Sequence, residues 1–252
     1  MKNRILIEVC CGSVEDAVNA AQAGANRVEL NSALILGGLT PSIGELSAVK
    51  ERIGIPVICM VRPRGGGFCY TELEFETMKR DAAALIKEGA DGIAFGFLNQ
   101  DGGLDIDRTA RFIETVCPGE AVFHRAFDSM TGSQADAIDK LAAAGVKRIL
   151  TSGRKPSSLD GVDELRRYVE LARGRLDILA GGGVRPANAL QIIERTGCRQ
   201  IHFTFHKDCC DYSATYNKDL CFESKLLPPP ENVRVVDKEK LAEFIKSMPK
   251  EL

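Results

Sequence analysis

The stretch ILIEVCCGSVEDAVNAAQAGANRVEL (residues 5–30) reads as strand, helix and strand in immediate succession. Its two ends, Ile5–Val9 and Arg27–Leu30, are short β-branched runs, and Val14–Ala23 between them has helical composition. Ser13 stands ahead of Glu15 and Asp16 as a helix start would require, and Gly24 after Gln22-Ala23 has the composition of a helix C-cap.

The same unit recurs along the chain. Further strand-like runs lie at Pro56–Val61, Gly92–Phe95, Ala121–His124, Lys147–Thr151, Leu176–Leu179 and Gln200–Thr204. Helical segments separate them at Ile43–Arg52, Leu73–Lys87, Ile106–Thr115, Gln134–Ala144, Val162–Ala172 and Ala187–Arg195. The strands start about every 28 residues, the size of one βαβ step. Alternation of this kind implies a parallel sheet with right-handed crossovers. An open doubly wound sheet accepts the same pattern, but eight units in about 205 residues predict a closed (β/α)8 TIM barrel. The reading is one barrel domain over residues 1–252, with core strands at about 4–205 and an extension from 206 to 252. In that extension Pro228-Pro229-Pro230 precedes an amphipathic run, Val236–Met248, which reads as a final helix.

Composition narrows the function class. Of 252 residues, 44% are hydrophobic and 27% charged, which excludes collagen-like, disordered and coiled-coil chains. Lys plus Arg number 33 against 35 Asp plus Glu, with no basic stripe, so no nucleic-acid partner is expected. The apolar N-terminal run is cut short by Glu8, so no signal peptide is expected, and no run of 18 apolar residues points to a membrane. Nine cysteines without an export signal read as free thiols in a reducing cytoplasm.

Barrel strands alternate between lumen and helix layer. On strand one, Ile5, Ile7 and Val9 suit the helix layer, which turns Glu8 and Cys10 inward. The same parity sends Arg27, Glu29 and Asn31, then Ile58, Met60 and Arg62, into the lumen. Later strands add His124, Arg148, Ser152, His202 and His206. Such a charged lumen has two readings: a salt-bridge network that fixes register, or a site at the C-terminal strand ends, where barrels place their active sites. Glu8, Glu29, Arg62, His124 and Arg125 fit the second description, while Arg27 and Arg148 sit lower and read as structural.

Six segments carry candidate chemistry. Gly181-Gly182-Gly183 follows strand seven and enters a helix, a place where backbone N–H groups approach an anion or where a turn needs positive φ. Ser152 and Gly153 after strand six offer a hydroxyl and a further N–H. Arg62 and Arg64, in the loop Arg62–Tyr70 with three glycines, resemble an anion clamp. His124, Arg125 and Asp128 end strand five, so an Asp-oriented His124 is the best acid/base candidate, with Glu8 or Glu29 opposite. Cys10 and Cys11 offer thiolates suited to Cu(I) or zinc, although adjacent strand residues face opposite ways, so joint binding requires a loop there. His206, Cys209, Cys210 and Cys221 form a second sulfur-rich stretch, and inert buried thiols are the plain reading of both clusters.

Together these residues resemble the CutC copper homeostasis family. The resemblance is carried by Glu8-Val9-Cys10, Gly24 to Leu30, Gly37-Gly38-Leu39-Thr40-Pro41-Ser42, Val61 to Gly66, Phe123 to Asp128 and Leu150 to Gly153. It implies a cytoplasmic TIM barrel that associates as a homodimer or higher homo-oligomer and is named for copper tolerance and Cu(I) binding. Family members often carry Cys after Arg-Val-Glu-Leu, where this chain has Asn31, and the segment after strand eight also departs from the family pattern. The first functional reading is therefore Cu(I) binding at Cys10 and Cys11. The second is an enzyme of lyase or isomerase type acting on a small anionic, phosphorylated or sugar-like substrate. In that reading Arg62, Arg64 and Gly181–Gly183 hold the anion while His124 and Glu8 or Glu29 exchange protons.

Overall fold

In the computed structural model, which describes residues 5–216 and 232–249, several helices begin or end on the local signals that the sequence carries. Ser13 Oγ accepts the Asp16 N–H at the start of α1 (Val14–Ala23), and Gly24 closes that helix in the left-handed region at φ 100°. Ser42 with Glu45 and Thr71 with Glu74 form reciprocal capping boxes on α2 (Ile43–Lys50) and α3 (Glu72–Lys87). The remaining helices are α4 (Ile106–Val116), a single turn α5 (Ala126–Ser129), α6 (Gln134–Ala143), α7 (Val162–Ala172), α8 (Pro186–Thr196) and α9 (Lys238–Ser247).

Eight parallel strands close into a barrel: β1 (Leu6–Cys11), β2 (Arg27–Leu30), β3 (Val57–Met60), β4 (Gly92–Phe95), β5 (Glu120–Phe123), β6 (Arg148–Thr151), β7 (Asp177–Gly181) and β8 (Gln200–Phe203). The (β/α)8 barrel read from the sequence is the fold observed. Closure comes from β1 pairing with β8, Glu8 opposite His202, while on its other edge β1 sets Glu8 opposite Arg27 and Cys10 opposite Glu29.

Strand parity holds as the sequence predicts. Val9, Cys11, Val28, Leu30, Val57, Cys59, Phe123, Ile149 and Ile201 belong to the large apolar cluster shared with the helices. Ile58, Met60, Ala94 and Val122 form a separate small cluster, as side chains on the opposite strand face must. Between α3, β4 and α4, Phe75, Phe95, Phe97 and Phe112 interlock with ring centroids 4.6–6.4 Å apart. Lower in the lumen, Arg27 pairs with Glu8 and donates to Gln200 Oε1 at 2.8 Å, Gln200 donates to Asp177 at 2.8 Å, and Arg148 pairs with Glu120. Arg27 and Arg148 thus have the structural places expected of them.

Beyond β8 the structure adds what the sequence does not suggest. Residues His206–Cys210 form β9, antiparallel to β10 (Asn232–Val236), with Val236 opposite His206 and Arg234 opposite Asp208. The sequence of β9, HKDCC, has no β-branched residue, so nothing in it announces a strand. The final helix, α9, falls inside the expected run, and its Phe244 packs edge-on against Phe203 at 5.1 Å. Cys221 and Pro228–Pro230 lie outside the described residues.

One buried carboxylate fastens this segment to the barrel. Asp16, 1% exposed, accepts the Val236 N–H at 2.6 Å and the Gly12 N–H at 2.9 Å. Asp16→Ala strands both amides, and loss of hydrogen bonds to a buried charge is expected to lower stability by roughly 2–4 kcal/mol. Denaturant unfolding measures the loss, and amide exchange at Val236 is expected to accelerate well beyond that of the β1–β8 strands.

Candidate functional site

The strand ends surround a cavity of about 840 Å3 at the C-terminal mouth of the barrel. Of the residues expected at a site, Cys10, Glu29, Arg62, His124, Arg125 and Asp128 line it. Glu8 sits one level below, and Cys11, Arg64, Ser152, Gly153, Gly181, Gly182 and Gly183 stand away from its lining. Asn31, His202, His206 and Arg234 join the lining. Parity turns Asn31, His202 and His206 inward, but Arg234 arrives on β10, which is not among the strands expected from the sequence.

The densest chemistry lies where β1, β2 and β8 meet. The ligand atoms of Cys10, Glu29 and His202 all fall within 4.8 Å of one another, and all three residues are buried. His202 Nδ1 contacts Glu8 Oε1 at 2.8 Å, while its Nε2 lies 3.9 Å from Glu29 Oε2. The Cys10 thiol faces the same Glu29 oxygen at 3.7 Å, and the Asn31 amide donates to it at 3.0 Å and to Cys10 Sγ at 3.5 Å.

Burial and charge set the protonation of this cluster. Burial alone would raise the Glu8 carboxyl, but Arg27, the His202 hydrogen bond and Arg148 hold it down at about 2. Burial also opposes charge on His202, yet Glu29, Cys10 and Glu8 around it raise its pKa well above the usual histidine value. Glu29 is raised, chiefly by burial, and the Cys10 thiol is pushed up to about 12 for the same reason. The resting cluster is therefore an imidazolium over an ionised Glu8, with a protonated thiol beside it.

A thiol, an imidazole and a carboxyl make a donor set of sulfur, nitrogen and oxygen that suits a soft or borderline metal ion once the thiol and ring have lost protons. Cys11 is no part of it. The strand β1 runs through Cys11 rather than yielding to a loop, so Cys11 turns to the helix layer, where burial raises its thiol well above the ordinary value. Cys10 and Cys11 thus face opposite sides of β1, and the groups gathered around the Cys10 thiol are Glu29 and His202.

Across the cavity the motifs fold into a polar knot. Asp128 accepts from Arg125 Nε at 2.8 Å, from the Ser152 hydroxyl at 3.1 Å, and from the Thr151 hydroxyl and the Arg154 N–H. It therefore ties β5 to β6, whereas the sequence reading had it orient His124. His124 Nδ1 instead accepts the Ala126 N–H at 3.2 Å. Burial and the nearby Arg62 push its pKa down to about 3, so it is a neutral ring rather than a group titrating near neutrality. Gly182, at φ 100°, lies against Arg125 and Ser152, where a Cβ would come within 3.2 Å of both, so the glycine turn packs the knot.

The two arginines of the expected clamp part company. Arg62 turns inward, with Nη1 donating to the carbonyls of Leu36 (2.8 Å) and Gly38 (3.1 Å) and Nη2 to that of Gly66 (2.8 Å). Arg64 turns away, pairs with Glu74 and lies over the Tyr70 ring at 5.0 Å.

Comparison with known proteins agrees on one family. The family model described as CutC family matches residues 5–207. A "family protein CutC" of Treponema denticola is 44% identical over 248 residues, 98% of this chain and 100% of that protein. The human "Copper homeostasis protein cutC homolog" is 43% identical over 200 residues, 79% of this chain and 73% of its own length. The crystal structure of a Streptococcus agalactiae copper homeostasis protein CutC superposes with a TM-score of 0.75 at 33% identity, covering 79% of this chain and 97% of that one. Among the described residues no helix is long and apolar enough to cross a membrane.

The neutral burial of His124 has a measurable cost in acid. Its folded pKa, about 3, lies below the unfolded value of 6.5, so between those limits the unfolded chain binds a proton that the folded one refuses. Stability is expected to fall as pH drops through 6.5 towards 3, with this residue contributing up to about 1.4 kcal/mol per pH unit. Denaturation midpoints across that range, in wild type and His124→Gln, measure the slope; an equal slope in both excludes His124 as its source.

Proposed function

Because the chain belongs to the CutC family, we propose that it serves copper homeostasis by taking up Cu(I) at the barrel mouth through Cys10 and His202, with Glu29 beside them. The observation that carries this reading is the convergence of one sulfur, one nitrogen and one carboxylate oxygen within 4.8 Å on three adjacent strands. Copper is cargo here, and the chain's contribution is a buried donor set whose protons it can exchange.

Each neighbour has a part in that exchange. Glu8, fixed by Arg27, contacts His202 Nδ1 and so leaves Nε2 on the side of Cys10 and Glu29. Asn31, in the place where the resemblance leads one to expect a thiol, donates to both Cys10 and Glu29 and orients them. As the ion enters, the Cys10 thiol and the His202 ring each release a proton towards the mouth. Two positive charges leave as one arrives, so the buried site gains no net positive charge. The reading extends to the reducing cytoplasm, with which eight described free cysteines accord, and to the homo-oligomer that the family resemblance implies.

Anaerobic titration of the full-length protein with Cu(I), in competition with a chromophoric chelator, tests the proposal. Binding at one ion per chain is expected. Cys10→Ser and His202→Gln should weaken it by more than the roughly 10–100-fold typical of losing a supporting hydrogen bond, while Cys11→Ser leaves it unchanged. Two displaced protons raise affinity with pH, by up to about a hundredfold per unit while both groups are protonated. Wild-type protein that binds no Cu(I), or binding indifferent to Cys10→Ser, rejects the site.

A further inference from the structure

Arg62 is a buried cation without an anion. It is 6% exposed, and among the described residues no carboxylate pairs with it: its Nη atoms meet three backbone carbonyls, its Cζ lies 5.4 Å from the Phe68 ring centre, the Tyr70 hydroxyl beside it carries no charge, and Nε makes no hydrogen bond of normal geometry. Desolvated charges of this kind ordinarily sit beside a counter-charge.

His124 presents a second donor in the same condition. It is 3% exposed, its Nδ1 accepts the Ala126 N–H, and the neutral ring therefore carries its proton on Nε2, which is buried and unpartnered. Its ring lies 4.9 Å from that of Phe68, so one aromatic side chain braces both the guanidinium and the imidazole. Both side chains are rigidly held, both line the 840 Å3 cavity, and the cavity is far larger than a metal ion requires.

We propose that Arg62 Nε–H and His124 Nε2–H anchor the oxyanion head of a small organic acid, a carboxylate or a phosphate, at a site separate from the Cys10–Glu29–His202 metal set. The acidic groups of the cavity do not compete for these donors. Asp128 is taken up by Arg125, Ser152, Thr151 and Arg154, Asp16 by the backbone of Gly12 and Val236, and Glu29 by Asn31 and Cys10. Among the described residues of the lining, Arg62 is the arginine that keeps an uncompensated charge, which gives the site its sign. The anion site stands just beyond β3 and β5, and of the anion holders expected from the sequence, Arg62, Arg64 and Gly181–Gly183, it uses Arg62.

The test uses full-length, metal-free protein and three probes: acetate, succinate and inorganic phosphate. Thermal unfolding should show a saturable rise with at least one of them, and preference between the carboxylates and phosphate identifies the head group. In nitrogen-15 spectra the Arg62 Nε–H and His124 Nε2–H signals should move together along one binding curve. Arg62→Lys and His124→Phe should each weaken binding about tenfold or more. Cys10→Ser should leave it intact, so failure of copper binding and failure of this site are told apart. If no probe moves either signal in wild type, or if binding survives both Arg62→Lys and His124→Phe, the proposal falls.

Discussion

An ionised carboxylate inside a barrel has to be met by cations, and the lumen of this protein is organised around that demand at Glu8. Arg27 comes from the strand on one side and His202 from the strand on the other, each brought level with Glu8 by the parallel register. A one-residue slip of either neighbour would turn its cation towards the helices and leave Glu8 unmatched. Closure of the barrel and balance of its interior charge are thus one constraint. The His202 ring held by Glu8 in turn faces Cys10 and Glu29, so the cluster at the mouth inherits its geometry from the ion pair beneath it.

The mouth divides its labour between two groups of strands. Strands β1, β2 and β8 bring ionisable side chains whose protons are exchangeable. The segments that follow β3 and β5 bring fixed groups: two donors, an arginine locked by its own loop and a neutral histidine, and one acceptor, Asp128, used wholly for fastening to the end of β6. Tight glycine turns suit the second group because nothing there has to move when a proton does.

Much of this was legible in the sequence, and the reason is periodicity. A strand buried on both faces still distinguishes lumen from helix layer when the lumen is charged, so Glu8, Glu29, Arg62, His124 and His202 could be turned inward by parity alone. Loop side chains have no such period. Hence Arg62 and Arg64, two positions apart, looked like partners in a clamp although one turns in and the other out to Glu74. Asp128 and His124 likewise looked like a pair, but the carboxylate had richer company in Thr151, Ser152 and Arg154. For Cys11 the length of one strand decides: β1 runs two residues past Val9, and regular alternation then sends Cys11 to the face opposite Cys10. The β9–β10 pair escapes notice because β9, HKDCC, has no β-branched residue, which leaves the three valines of β10 without a visible partner.

That pair of strands separates the rim of the cavity from its floor. His206 and Arg234 line the opening, yet their backbone is secured through Asp16 and the β9–β10 ladder, not through the barrel's own hydrogen bonds. Substitution along β9 and β10 therefore alters the charge at the entrance while the strand pairing below stays as it is. The doorway can diversify as a unit: a barrel of constant interior acquires different clientele by exchanging one appended ribbon.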